Sequence, residues 1–243
     1  MKPFQIQIAD AVAQIQPMFE STKAYCQKYL SNQEPEIFIS VTEDDLIFEQ
    51  HMLDVEAQEE GLKRRKFTEP FLERAVIQRK IAEVLLDHDV LLLHGSTVAV
   101  DGEAYLFTAA CGTGKSTHTR LWREVFGDRA VMINDDKPFL KISAQGVTAY
   151  GSPWSGKHGL DTNISAPLKG ICILQRGAEN KICRIGTDDA VAMLRHQSFL
   201  PEESDREKIF ELVGKLTELV PLWEMHCTKS CEAAIVAHAA MAE

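Results

Sequence analysis

Short runs of alternating hydrophobic and polar residues open the chain. Phe4 to Ile8, Ala13 to Ile15, Glu36 to Val41 and Leu46 to Met52 read as β-like runs, with an amphipathic helix over Met18 to Leu30 among them. Asn32-Gln33-Glu34-Pro35 and Glu43-Asp44-Asp45 carry turn chemistry between these runs. The pattern predicts a small α+β region over residues 1–66, closing in a solvated connection from Asp54 to Arg65 that turns from acidic to basic. After Thr68-Glu69-Pro70 the spacing becomes helical, with Leu72, Val76, Ile81, Leu85 and Leu86 on one face. That helix opens a second region, residues 67–243.

The second region alternates strands and helices. Val90 to Leu93 reads as a strand, and Ser96 to Val100 with Glu103 to Phe107 as a hairpin about Asp101-Gly102. A glycine-rich loop leads into a helix over Thr117 to Phe126, and the apolar run from Arg129 ends in Asp135-Asp136. Phe139 to Ile142 and Gly146 to Tyr150 form a further hairpin, followed by an exposed turn from Gly151 to Gly159. Leu168 to Gln175 and Lys181 to Gly186 are strands, and Asp188 to Leu194 and Asp205 to Leu216 are helices. A strand over Val220 to Met225 and a helix over Cys231 to Ala242 complete the pattern. An α/β class follows from the alternation.

Composition narrows the function classes. The 243 residues are 45% hydrophobic and 26% charged, the balance of a globular protein, and no apolar run approaches the ~18–20 residues that span a bilayer. Met1 to Ile8 lacks an apolar signal block, so the expected compartment is the cytoplasm and no membrane partner is expected. A net charge of −10, with basic residues clustered only at Lys63-Arg64-Arg65-Lys66, argues against a nucleic-acid surface. The six cysteines show no C-x-x-C pair and read as reduced thiols. His226, Cys227 and Cys231 have no second ligand pair elsewhere and read as residues near a strand end.

The chemistry concentrates in Cys111-Gly112-Thr113-Gly114-Lys115-Ser116-Thr117. A glycine-rich turn between a strand and a helix directs backbone N–H groups into one concavity. The helix N-terminus and Lys115 add positive charge there, which suits phosphate oxygens. A hydroxyl at Ser116 is placed to hold Mg²⁺ accompanying ATP. The strict phosphate-loop pattern has Gly where this chain has Ala109, so the reading rests on context. An ordinary glycine-rich turn would not need Lys and Ser together. Cys111, at a helix N-terminus, is a thiol whose oxidation would block the loop.

His94-Gly95-Ser96, Asp101-Gly102, Gly112 to Thr117 and Asn134-Asp135-Asp136 together resemble the HPr kinase/phosphorylase and PEP carboxykinase group. The resemblance covers residues 90–138, and Thr117-His118 with Leu121-Trp122 is similar to a bacterial branch of unassigned substrate. It implies an α/β P-loop domain with a mixed sheet, beside the small N-terminal α+β appendage. It also implies ATP and Mg²⁺ as cofactors, with Ser116 and Asp135 on the metal. Lys115 then stabilises the transferring group, Asp136 is the general base and His94 stands beside it. PEP carboxykinases are roughly twice this length, and Lys137-Pro138 replaces the arginine that follows the Asp pair in HPr kinase/phosphorylases. Decarboxylation and HPr phosphorylation are therefore disfavoured.

A kinase acting on a hydroxyl of a peptide serine or a small molecule is the resulting expectation. HPr Ser kinase/phosphorylase proper and a non-catalytic nucleotide sensor are the alternatives. Lys157 and Arg176 are candidate substrate or phosphate contacts, with a solvated loop over a packed Trp154 as the plain alternative for Lys157. The N-terminal region serves either substrate recognition or a homo-oligomer interface.

Overall fold

The computed structural model describes residues 1–59, 61, 63–198 and 206–243. The chain divides into two compact units, Met1–Val84 and Leu85–Glu243.

In the first unit, β1 (Phe4–Ile8) and β2 (Ala11–Gln16) form an antiparallel hairpin, and β3 (Ile37–Ser40) adds in parallel to β2. The hairpin turns on Ala9 and Asp10 at φ 49° and 71°, the positive dihedrals that a two-residue turn needs to match strand twist. Three helices follow or intervene: α1 (Glu20–Tyr25), α2 (Glu43–Glu59) and α3 (Glu69–Leu86). The helix predicted over Met18 to Leu30 is shorter, with a separate 3-10 turn at Gln27–Tyr29.

Leu46 to Met52, expected to be extended, lies in α2. Its cause is a reciprocal cap. The Thr42 backbone N–H donates to Asp45 Oδ2 at 2.8 Å and the Asp45 N–H donates to Thr42 Oγ1 at 3.2 Å. Glu43, Asp44 and Asp45, read as a turn, are the helix's acidic first turn, where the dipole favours negative charge. Asp54 to Glu59 likewise extend α2 instead of forming a connection.

The compact units divide at Val84/Leu85, whereas the sequence pattern places its boundary at 66/67. Polar ties hold α3 to the N-terminal elements. Glu73, fully buried, accepts from the Phe19 N–H and the Thr22 hydroxyl at the start of α1. Arg79 Nε donates to Glu49 Oε2 at 2.9 Å, and Lys80 Nζ to Asp45 Oδ2 at 2.8 Å, both on α2.

The second unit is built on a mixed sheet of nine strands: β4 (Val90–Leu92), β5 (Ser96–Val100), β6 (Glu103–Thr108), β7 (Ala130–Asn134), β8 (Phe139–Ser143), β9 (Gly146–Tyr150), β10 (Ser165–Arg176), β11 (Lys181–Arg184) and β12 (Leu222–Cys227). The main order is β4-β8-β9-β10-β6-β5-β7. The long β10 pairs antiparallel with β9 at its start, then parallel with β6 on one edge and with β12 on the other.

Strand alternation sends successive side chains to opposite faces. Leu106 and Ile171 join one core with α5 (Thr187–Gln197) and α6 (Arg206–Leu219), through Leu194, Leu212 and Leu216. Phe107 and Cys172 join the other with α4 (Lys115–Phe126) and α7 (Cys231–Met241), through Trp122, Ala234 and Ala237. Burying each such large side chain contributes about 1.5–3 kcal/mol before chain entropy is charged. Asp205, where the sequence predicts the helix corresponding to α6 to begin, lies outside the described residues. No helix among the described residues is long and apolar enough to cross a membrane.

The topology decides where the loops collect. β6, β10 and β12 run in parallel, and β7 shares their direction because it and β6 both lie antiparallel to β5. The chain segments after all four strands therefore emerge at one end of the sheet, where ligand sites of α/β folds form.

Candidate functional site

Between β6 and α4 the chain makes a tight loop from Ala109 to Gly114. Gly112 and Gly114 have φ of 73° and 129°, a region that side-chain-bearing residues rarely adopt, and both are glycine for that reason. Ala109, at the position where the strict pattern has glycine, is fully buried, and its carbonyl accepts from Lys115 Nζ at 3.1 Å. Lys115 is thus folded back along its own loop and only 9% exposed. Arg176, at the end of β10, donates from Nη2 to the Gly112 carbonyl at 2.7 Å. Arg176, a candidate substrate or phosphate contact, thereby braces the loop from the neighbouring strand. Cys111 and Ser116 are exposed, and Thr113 and Thr117 are half-buried.

Asp135 and Asp136 follow β7, and their environments differ. Asp135 is 6% exposed. Its Oδ1 accepts from Ser96 Oγ at 2.7 Å, and Ser96 Oγ lies 2.8 Å from Thr119 Oγ1 on α4. Burial pushes the Asp135 carboxyl above its ordinary range, against hydrogen bonds from Ser96 and Ser116. Ser116, the other candidate metal ligand, thus stands near enough to Asp135 to lower its carboxyl.

Asp136 faces His94, with Nε2 to Oδ1 at 3.3 Å. Burial works to raise the Asp136 carboxyl, but the hydrogen bond to His94 and the charges of Lys137, His94 and Lys115 outweigh it and hold the group below its ordinary range. His94 is itself held by its backbone. Its N–H donates to Gln197 O at 2.7 Å, and its carbonyl accepts from Thr108 Oγ1 at 2.9 Å.

Asn134 organises the turn between these groups and carries a role that spacing alone does not reveal. Fully buried, it accepts at Oδ1 from the backbone N–H groups of Asp136 (2.8 Å) and Lys137 (2.6 Å). Its Nδ2 donates to Ser152 O at 2.9 Å and Ser152 Oγ at 3.0 Å. It thereby joins the double carboxylate to the segment after β9.

That segment is only half as exposed as expected. Gly151 to Ser155 are buried, and Trp154 packs edge-on to Phe139, whereas Gly156 to Gly159 are exposed. Gly156, at φ 68°, lies so close to Asp136 that an added Cβ would stand 3.3 Å from the Asp136 Cβ. Lys157 is exposed on the same short turn. His158, which the sequence reading does not single out, is near enough to lower the Asp135 carboxyl electrostatically. A hydroxyl at Ser96 two residues after His94 is the one sequence signal that points to the support beneath Asp135.

No group of three or more His, Cys, Asp or Glu side chains among the described residues could hold a metal. Mg²⁺ does not require one, because it keeps waters and phosphate oxygens and takes one or two protein ligands. A buried carboxylate disfavoured in its charged form and touching a serine hydroxyl fits that donor set.

A family model described as SynChlorMet cassette protein ScmC matches residues 71–231, a span that holds every candidate site residue. No curated protein matches the chain. Among solved structures the chain is similar to the Hpr(Ser) kinase/phosphatase from Coxiella burnetii, at 12% identity over 51% of this chain and 93% of that one. The TM-score is 0.30, so the fold rests on the topology described above.

Proposed function

We propose that this chain, which belongs to the SynChlorMet cassette protein ScmC family, is an ATP-dependent kinase that transfers a phosphoryl group to a hydroxyl of a peptide serine or a small molecule. One observation carries the reading. Ser116, beside Lys115, stands near enough to Asp135 to lower its carboxyl, while the adjacent Asp136 pairs with His94.

The loop N–H groups and the N-terminus of α4 would bind the phosphates. Lys115 would exchange the Ala109 carbonyl for a phosphate oxygen, a short movement of a flexible chain. Mg²⁺ on Ser116 and Asp135 would supply charge neutralisation to the phosphates. Asp136 would accept the proton of the attacking hydroxyl, and His94 would orient its carboxylate. Gly156 and Lys157 border the approach to Asp136, which makes that turn the proposed acceptor side.

The test is transfer of labelled γ-phosphate from Mg²⁺-ATP into hydroxyl metabolites, serine peptides and HPr, with Lys115→Ala as control. Label in one pool, lost in the control, supports the kinase and names its acceptor class.

A nucleotide-binding sensor is the second reading, favoured by the lowered Asp136 carboxyl, since a weaker base is a poorer proton acceptor. ATP binding without transfer to any pool would favour it.

A further inference from the structure

The first unit carries an exposed apolar face of its own. In α2, Ile47, Phe48, His51, Met52 and Val55 recur at the spacing that puts side chains on one side of a helix. Ile47 is 69% exposed, Met52 42% and Phe48 40%. Single exposed apolar residues are ordinary, but large ones gathered on one face mark an interaction surface. Rotating the helix would not bury them, because Leu46 and Glu49 already fill its inward side and Glu49 is paired there with Arg79. The Arg79 guanidinium, 5.1 Å from the Phe48 ring centre, fixes that ring at the rim of the face.

The two ends of the face differ in charge. Glu43 and Asp44 are exposed at its start. At its other end the basic run Lys63-Arg64-Arg65-Lys66 doubles back along α2 and is tied to it. Arg64 Nη2 donates to Gln58 Oε1 at 2.7 Å, Gln50 Nε2 donates to the Arg65 carbonyl at 2.9 Å, and the Phe67 N–H donates to Gln50 Oε1 at 2.9 Å. Arg64 is therefore held at the level of Gln58 by a neutral amide. Neither Arg64 nor Asp44 has an oppositely charged partner among the described residues.

We propose that this face of α2 is a homodimer interface, on which a second copy of the chain packs antiparallel about a two-fold axis at His51. Asp44 and Gln58 lie equally far from His51 along the helix, so the axis sets Asp44 of each copy against Arg64 of the other, and Ile47 against Val55. Burial of Ile47, Phe48 and Met52 from both copies supplies the attraction, and the reciprocal charge pairs fix the register. The occupant must be apolar in its middle and opposite in charge from end to end, a pattern that an antiparallel copy has by symmetry. An acidic peptide or an anionic membrane surface would meet like charge at Glu43 and Asp44. The interface stands or falls apart from the phosphate-loop reading.

Sedimentation equilibrium of the full chain across the micromolar range tests it, with Ile47→Asp, Asp44→Arg, Arg64→Asp and the double variant Asp44→Arg/Arg64→Asp. The unmodified chain is expected to dimerise within that range, as a small interface does. Ile47→Asp and each single reversal should weaken the dimer about tenfold or more, by placing charge in the apolar centre or like charges opposite one another. The double variant restores both pairs with the signs exchanged, and should return to within about threefold of the unmodified chain. All three positions are exposed, so the variants should melt close to the unmodified temperature. Should Ile47→Asp fail to fold, the reversals still decide. A chain that stays monomeric throughout, a dimer indifferent to a folded Ile47→Asp, or a double variant no tighter than the single ones would overturn the interface and leave the face to another partner.

Discussion

Ser96 Oγ donates to Asp135 Oδ1 across 2.7 Å, joining the start of β5 to the residue just past β7. The same hydroxyl lies 2.8 Å from Thr119 Oγ1, so α4 shares in the support. A carboxylate that burial disfavours is thereby held in place by neutral donors, with no cation of the chain at hydrogen-bond distance from it among the contacts described.

Asp135→Asn is expected to raise the melting temperature at pH 7. The folded carboxyl is raised above its ordinary value, so its stabilising effect is present at low pH and lost as pH rises through the folded pKa. At neutral pH the charged group costs stability that a neutral amide would not. Melting curves at pH 4 and pH 7 should show the gain only at the higher pH, while Mg²⁺-ATP ceases to stabilise the variant. A lower melting temperature for the variant at pH 7 contradicts this account.

Asp136→Asn is expected to lower turnover by about 10²–10⁴-fold while leaving ATP affinity nearly unchanged, because the role proposed for it is proton acceptance. Its carboxyl, held below the usual range, stays ionised to lower pH than Asp135. The acid limb of the transfer rate should therefore follow loss of Mg²⁺ affinity at Asp135. Rate profiles taken at limiting and saturating Mg²⁺ distinguish the two, since only the Asp135 limb shifts to lower pH with added metal.

Gly156→Ala should slow transfer more than it weakens ATP binding. The position has φ 68°, which costs about 1 kcal/mol or more for a residue with a Cβ, and the new methyl would meet the Asp136 side chain. Separate measurement of kcat and of ATP affinity checks it; an equal fall in both would place Gly156 in the nucleotide site instead.

Asn134→Ala removes both acceptor and donor from a fully buried turn, and should destabilise the chain by about 1–3 kcal/mol. Urea denaturation gives the value. Asn134→Asp should be no better, since it restores the acceptor but loses the Nδ2 donor to Ser152 and adds a buried charge beside Asp135.

Arg176→Ala should weaken nucleotide binding severalfold by releasing the Gly112 carbonyl, and Arg176→Lys should recover only part of it, since a point ammonium does not reproduce the guanidinium geometry. Binding measured by calorimetry for the three proteins reads the order directly.

Local pattern made much of the second unit legible. The Asp101-Gly102 hairpin, the glycine loop with Lys115-Ser116 and the carboxylates at the end of an apolar strand all follow from residues within a few positions of one another. Two other features are less legible, each for its own reason. Leu46 to Met52 contains enough apolar residues for a strand, but the Thr42–Asp45 cap three residues apart starts a helix there. Arg176 looks like a free cation in sequence because Gly112 lies 64 residues away.

What the sequence determined by itself was the inventory: dihedral-demanding glycines at 112 and 114, a lysine and a serine at a helix start, two adjacent carboxylates, and a histidine before a strand. Such features depend on short-range sterics and spacing, which a chain expresses before it folds. Tertiary structure alone decided the partners. The shared direction of β6, β7, β10 and β12 brought the four loop ends to one end of the sheet, set Ser96 under Asp135, His94 on Asp136 and Gly156 against it, and left His118 Nδ1 without a hydrogen-bond partner among the described residues. Those contacts join residues far apart in sequence, and only strand pairing and the packing of two apolar faces hold them within hydrogen-bonding distance.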